Sequence, residues 1–190
     1  MLLLVGLGNP GSNYTNTRHN IGFKIIDAIN LHFKLSKQKP KFKGLLTTGN
    51  IDEKKIYAIK PLTFMNNSGT AIKELIDYFK IDAKDVIVFH DDMDIDFGKI
   101  KAKFGGSSAG HNGIESIDKF IGKEYSRVRI GIGHPKQKKK VNNHVLEDFK
   151  EDEDEKIKEI TENIVKQIPT LIDKKMDLFS SKVNQKLTGI

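Results

Sequence analysis

The residues with chemistry to offer are a histidine before a helical pattern, an acidic run after an apolar strand, and three asparagines in loops. His19 lies in Thr17-Arg18-His19-Asn20, at the mouth of a helix. Asp91 lies in His90-Asp91-Asp92-Met93-Asp94, directly after the apolar run Val86–Phe89. Asn9 sits in Gly8-Asn9-Pro10-Gly11, Asn66 in Thr63-Phe64-Met65-Asn66, and Asn112 in His111-Asn112-Gly113. A lone histidine before a helix is more often a surface or capping residue than a catalyst. The balance shifts when these loops are laid side by side, because an α/β sheet gathers its ligands outside the carboxyl ends of its strands. One histidine, one strand-end carboxylate and three amides, without a serine or cysteine nucleophile, suit a water activated by histidine. The amides would then position a carbonyl.

Two other motifs invite different chemistry. Gly6-Leu7-Gly8-Asn9-Pro10-Gly11 matches the dinucleotide-binding pattern G-x-G-x-x-G after a strand. That fingerprint needs a helix opening on its last glycines, so that backbone N–H groups face a pyrophosphate. Here more polar residues follow Gly11, Pro10 removes a donor, and the acidic candidate Asp27 falls inside a helical pattern. The run from His90 to Asp94 could hold a divalent or transition metal, but no other cluster supplies a clear remaining ligand set. Its blander reading is a solvated acidic turn. A third reading has one of these carboxylates orienting a histidine elsewhere.

The elements that must position these residues can be read from periodicity. Leu2–Leu7 is a short apolar run of the kind buried on both faces, and Gly8–His19 is a loop. Ile21, Ile25, Ile26, Ile29 and Phe33 have helical spacing, as do Ala71, Ile72, Leu75, Ile76 and Phe79. Leu45–Ile51 and Lys55–Lys60 flank a polar turn and predict a hairpin, and Pro61–Asn67 reads as a loop. Asp85–His90 predicts a buried strand. Lys99–Phe104 predicts a half-exposed strand with its lysines on one face, Gly105–Gly110 a glycine-serine loop, His111–Ile121 a helix, and Arg127–Ile132 another strand. Lys136–Lys140 is a charged loop, and one helix is expected from about Asp152 to Leu178, kinked or divided at Pro169. Alternating strands and helices with one hairpin and no repeat or linker predict one α/β domain, residues 1–190. Its mixed, twisted sheet would be sandwiched between helices.

Composition narrows the class. With 190 residues the chain can bury a core without staples, and with no cysteine it excludes disulfide scaffolds, cysteine-based zinc sites and thiol catalysis. No apolar run approaches the roughly 20 residues of a membrane span, and the N-terminus lacks a basic signal-peptide region. A cytoplasmic protein is expected. With no obvious apolar docking stripe, a monomer is expected too. The net charge is +7. Lys99–Lys140 carries eleven basic residues against three acidic, whereas Glu147–Glu162 carries nine acidic against three basic. The basic middle is either a polyanion-binding face or a solvated surface.

Six blocks in order carry a family resemblance: VGLGNPG at 5–11, YTNTRHNIGF at 14–23, KPLTFMNNSG at 60–69, HDDMDIDFGKIKAK at 90–103, AGHNG at 109–113 and RVRIGIGHP at 127–135. Together they make the chain resemble bacterial peptidyl-tRNA hydrolases over nearly its whole length. Small departures fall at Gly105–Ala109, Lys136–Lys140 and Pro169, away from the candidate site. The resemblance implies cleavage of the ester between a peptide and the 3′-terminal ribose of tRNA, with no metal or nucleotide cofactor. His19 matches the family's base, Asp91 the carboxylate that holds it, and Asn9 the residue that tells blocked from free amino groups. Asn9's amide could donate to a peptide carbonyl while its oxygen accepts from a peptide N–H. Asn66 and Asn112 match substrate-binding amides. Tyr14 and Phe64 match aromatic positions at the substrate, with core packing as the alternative for Phe64. Lys101, Lys103 and Arg129 match a basic cluster on tRNA phosphate, which would read no sequence. A non-catalytic RNA-binding protein would keep the basic strands without needing His19 and Asp91. A nucleotide-dependent oxidoreductase would rest on the glycine motif alone.

Overall fold

The computed structural model describes residues 1–135 and 141–186, so the expected loop Lys136–Lys140 lies outside the described residues. Seven strands form one sheet: β1 (Leu2–Gly6), β2 (Lys39–Lys41), β3 (Gly44–Ile51), β4 (Lys54–Pro61), β5 (Val86–Asp92), β6 (Ile100–Phe104) and β7 (Ser126–Gly131). Their order is β2-β3-β4-β1-β5-β7-β6. The central strands β4, β1, β5 and β7 run parallel, while β2, β3 and β6 join antiparallel at the flanks. β1 is apolar throughout because both its faces are covered: Leu2 and Leu4 enter one core, and Leu3, Val5 and Leu7 the other.

Helices supply the two outer layers. On one face lie α1 (Ile21–His32), α5 (Glu151–Lys166), α6 (Ile168–Ile172) and α7 (Met176–Lys186); isoleucines of the first three, with Phe179 and Val183 of α7, fill the first core. On the other lie α2 (Ser68–Phe79) and α3 (Asn112–Ile121), and a short α4 (Val141–His144) precedes α5. The mixed sheet between helical layers is therefore as expected. The long helical stretch is divided at Pro169, as expected, but a second break before α7 was not foreseen. Pro169 stands in the first turn of α6, where its missing N–H costs nothing, and Lys174 in the left-handed region (φ 62°) separates α6 from α7. Strand β2 was not foreseen, because Lys39, Pro40 and Lys41 are all exposed and carry no apolar alternation. Pro61 closes β4, and Met65–Asn67 forms a 3-10 turn, so only part of the expected loop is irregular. β5 runs on to Asp92 with every residue buried, so Asp91 and Asp92 are not part of a solvated turn, which begins only at Met93 and leaves Asp94 exposed.

After β1 the chain crosses to the first face through α1, and after β4 to the opposite face through α2. The carboxyl end of β1, between β4 and β5, is therefore the switch point where such sheets place their ligands. Glycines make this crossing tight. A Cβ on Gly6 would collide with the backbone of Gly22, and one on Gly22 would stand 2.5 Å from Phe89 O. A Cβ on Gly8 would press into the Phe23 ring at 2.8 Å. The first two glycines of the dinucleotide-like motif therefore serve helix and side-chain packing, and α1 starts only at Ile21. Asp27 lies within α1 and pairs with Lys60 at 2.5 Å, so the nucleotide fingerprint has no acidic partner. Replacing Gly22 by Ala is expected to destabilise the fold by about 1–3 kcal/mol through overpacking. The check is a lower urea midpoint with an unchanged slope.

Candidate active site

Asp91 is the buried anion of the site, with 1% of its surface exposed. It sits near the carboxyl end of β5, where alternation sends Asp91 and Asp92 to opposite sides of the strand. His19 Nδ1 lies 2.8 and 2.9 Å from the two Asp91 oxygens, and His111 Nε2 lies 3.0 Å from Oδ1. A carboxylate can only accept here, so each ring nitrogen facing it donates. For His19 this leaves Nε2, on the far edge of the ring, as the free lone pair. For His111 the assignment is supported from the other side, because its Nδ1 accepts from Gly113 N at 3.1 Å and Ile114 N at 3.3 Å, capping α3. The N-terminus of a helix thus fixes the tautomer of His111.

The electrostatics follow from these contacts. Burial pushes the Asp91 carboxyl up, but the two histidines, by charge and hydrogen bond, hold it well below the usual carboxylate range. Burial lowers His19, and Asp91 more than reverses this, so its pKa ends above the ordinary histidine value. The third ring, His90, donates from Nδ1 to Asp91 O at 2.7 Å, and burial first, then His111, pushes its pKa far down. His90 is therefore neutral, and its buried Nε2 has no partner.

Asn9 is held rigidly beside this pair. The Asn20 side chain binds both sides of its backbone, accepting from Asn9 N at 2.8 Å and donating to Asn9 O at 2.9 Å. Asn9 Oδ1 accepts from Met65 N at 2.8 Å. This corrects the expected use of the amide: its oxygen is already taken, and the NH2 is the group left for a ligand.

These residues line a cavity of about 380 Å³. Asn9, His19, Phe64, Asn66, Asp91 and Asn112 all border it, together with Met65, Met93, Val145 and Leu146. Ser108 and Ala109 border it too, so the departure at Gly105–Ala109 reaches the site, contrary to expectation. Phe64 is 61% exposed, so it is a rim residue and not a core one. Tyr14 is only partly buried on the preceding turn and does not border the cavity. Lys101, Lys103 and Arg129 also stand apart from it, on neighbouring strands, with Lys101 opposite Arg129 and Lys103 opposite Arg127. Arg129 Nε donates to Asp92 Oδ2 at 2.7 Å, so its charge is partly matched. Lys103 is pushed below its ordinary pKa by burial and then by Arg129 and Arg127.

The carboxylates of the acidic run diverge instead of forming one cation site. Asp91 faces His19 and His111, Asp92 faces Arg129, and Asp94 pairs with His134 at 2.9 Å. Among the described residues, the group able to hold a metal is His19, Asp91 and His111, whose ligand atoms lie within 4.8 Å of one another. An ion there would have to replace both ring protons and would leave His19 Nε2 protonated, so it would disable the base. Sequence reasoning left His111 and Asn20 without roles, although both lie in quoted motifs. Nothing in the sequence alone shows that His111 caps a helix with one nitrogen while serving Asp91 with the other.

Comparison with known proteins gives the family. The family model described as peptidyl-tRNA hydrolase matches residues 3–189. A peptidyl-tRNA hydrolase of Pelagibacter ubique (strain HTCC1062) is 73% identical over 186 residues, covering 98% of this chain and 100% of that protein. One from Ehrlichia ruminantium (strain Welgevonden) is 46% identical over 181 residues, covering 95% and 93%. The crystal structure of peptidyl-tRNA hydrolase from Acinetobacter baumannii superposes with a TM-score of 0.90 at 34% identity, covering 97% of this chain and 94% of that one. With a matching family model over almost its full length and relatives this close, the chain belongs to the peptidyl-tRNA hydrolase family.

Proposed function

We propose that this protein hydrolyses the ester linking a peptide to the 3′ end of tRNA, with His19 as general base. The observation that carries this reading is the Asp91-bound His19 ring at the wall of the cavity; with Nδ1–H directed at Asp91, the neutral ring carries its lone pair on Nε2. His19 Nε2 takes a proton from water as the water attacks the ester carbonyl. Asp91 holds the tautomer and stabilises the imidazolium that forms. The proton then passes to the departing ribose oxygen. An ester carbonyl is reactive enough for base-activated water.

Asn9 supplies discrimination. Its NH2 donates to the carbonyl of the last peptide bond. An aminoacyl ester offers a hydrated ammonium at that place, which would lose solvation against a donor. Asn66 and Asn112 hold the rest of the peptide backbone or the terminal nucleotide. Lys101 and Lys103 carry no ion pair among the described residues, and with Arg129 they form the face for tRNA phosphate. Residues 1–190 act as one unit, as a monomer in the cytoplasm. Among the described residues, no helix is long and apolar enough to cross a membrane.

The first test concerns the base. His19→Ala is expected to lower turnover of N-acetyl-aminoacyl-tRNA by roughly 10²–10⁴-fold. The free imidazole is the active form, so wild-type kcat/KM should fall as the pH drops through the raised pKa of His19. Asp91→Asn removes the charge that raises it and leaves burial, which lowers it, so the acid limb should move to lower pH while the plateau drops. A wild-type rate for the alanine variant would remove His19 from catalysis.

The second concerns Asn9. Asn9→Asp keeps an oxygen for Met65 N, deletes the donor and adds a negative charge, which would favour the free ammonium of an aminoacyl ester. The ratio of kcat/KM for acetylated over free aminoacyl-tRNA should shrink by about 1–3 kcal/mol. An unchanged ratio would move discrimination to Asn66 or Asn112.

The third concerns the basic strands. Lys101→Glu with Lys103→Glu should raise KM for full-length tRNA substrates more than it lowers kcat. It should also flatten the salt dependence of KM by roughly one logarithmic unit of slope per lysine. A wild-type KM indifferent to salt would make these lysines a solvated face only.

A further inference from the structure

The proposed chemistry leaves one buried charge beside the base unused. Arg18 precedes His19, is 3% exposed, and does not border the cavity. Its Nη2 donates to Glu153 Oε2 at 2.7 Å, in the first turn of α5. Its Nη1 donates to Glu147 O at 3.3 Å and, at the limit of a hydrogen bond, to His144 O at 3.5 Å. The guanidinium also lies 5.5 Å from the centre of the Phe149 ring.

The backbone on either side continues this grip. Arg18 N donates to Glu147 O at 3.0 Å, His19 N to Val145 O at 2.9 Å, and Phe149 N to Asn16 O at 3.4 Å. Residues 144–149 therefore form a strap along 16–19, antiparallel where Thr17 bridges Asp148. Val145 and Leu146 from this strap border the cavity, and Leu146 remains 46% exposed. Phe64, another exposed apolar residue, also stands at the rim. An exposed apolar rim around a polar centre suits a ligand with an apolar part.

A buried ion pair rarely holds a fold together better than apolar side chains of the same volume. What Arg18 has that such side chains lack is simultaneous reach to strap carbonyls and to a carboxylate on α5. We propose that Arg18 is a positioning residue which pins the strap to α5, and so holds the Val145–Leu146 wall where the side chain of the tRNA-esterified residue must pack. This rests on the hydrolase reading above. The Arg18 side chain makes no contact with the side chains of His19 and Asp91. Although His19 N also bonds the strap, its ring is held by Asp91, so the contribution of Arg18 falls on binding of the esterified side chain and varies with the size of that side chain.

The test compares kcat and KM for N-acetyl-glycyl-, N-acetyl-alanyl- and N-acetyl-leucyl-tRNA in the wild type and in Arg18→Gln, Arg18→Lys, Glu153→Gln and Leu146→Ala. Hydrolysis of all three substrates by the wild type is required by the underlying reading, and its absence would defeat that reading first. With it in hand, Arg18→Gln should raise KM for the leucyl ester roughly tenfold and for the glycyl ester far less, with kcat changing little. Leu146→Ala should show the same dependence on side-chain size. Arg18→Lys, which keeps one donor, should fall between. Glu153→Gln weakens the grip from the α5 side and should shift the leucyl KM in the same direction, even where Arg18→Gln is too unstable to assay. A KM change equal for all three esters, no change, or an equal fall in kcat would each overturn the proposal and leave Arg18 as a fold staple or a support of the base.

Discussion

Burying the Asp91 carboxylate strips it of water, a loss that only donors in direct contact can offset. Two histidines from different parts of the chain do so, and the requirement runs outward from there. His19 must present Nδ1–H, which leaves Nε2 bare toward the cavity. His111 must present Nε2–H, which it can do because the first N–H groups of α3 occupy its other nitrogen. A strand end, a helix entry and a helix cap are thus fixed relative to one another by one charge. The amide groups then have a rigid frame against which to be placed.

That frame is affordable because of the sheet. Parallel strands buried on both faces need apolar side chains at nearly every position, and the polar residues collect where β1, β4 and β5 end. The close approach of Gly22 in α1 to β1 brings the start of that helix, and His19 with it, up to the strand ends. Asn20 then closes the loop on itself by gripping the backbone of Asn9 from both sides. His19 and Asn9 therefore belong to one small rigid body, so a shift of either is felt by the other.

Much of this was legible in the residues. The strands β1 and β5 show as unbroken apolar runs, β6 as alternating lysines, and the placing of Asn9, Asn66 and Asp91 follows from the rule for strand ends. That of Asn112 does not, because β6 is antiparallel and ends beside the start of β7. Features set by pairing across long sequence distances were not legible. Lys39–Lys41 becomes a strand only because β3 offers it an edge. The oxygen of Asn9 looks free until Met65, 56 residues away, arrives to use it. The break between α6 and α7 depends on one left-handed lysine with no glycine to signal it. Nothing in the sequence shows that residues 144–149 will fold over Arg18 and bury it.

The far margin of the sheet raises a different matter. Among the described residues no strand pairs beyond β6, yet three of its outer backbone groups are occupied: Asn184 serves both Ile100 N and Ile100 O at 2.9 Å, and Ser180 serves Ala102 N at 2.8 Å. Side chains of α7 imitate a neighbouring strand without offering an edge of their own. The ladder that carries the lysines is thereby sealed against self-association. A chain shorn of α7 would display an unpaired, half-apolar ribbon, so the last helix works as a guard of solubility as much as a part of the core.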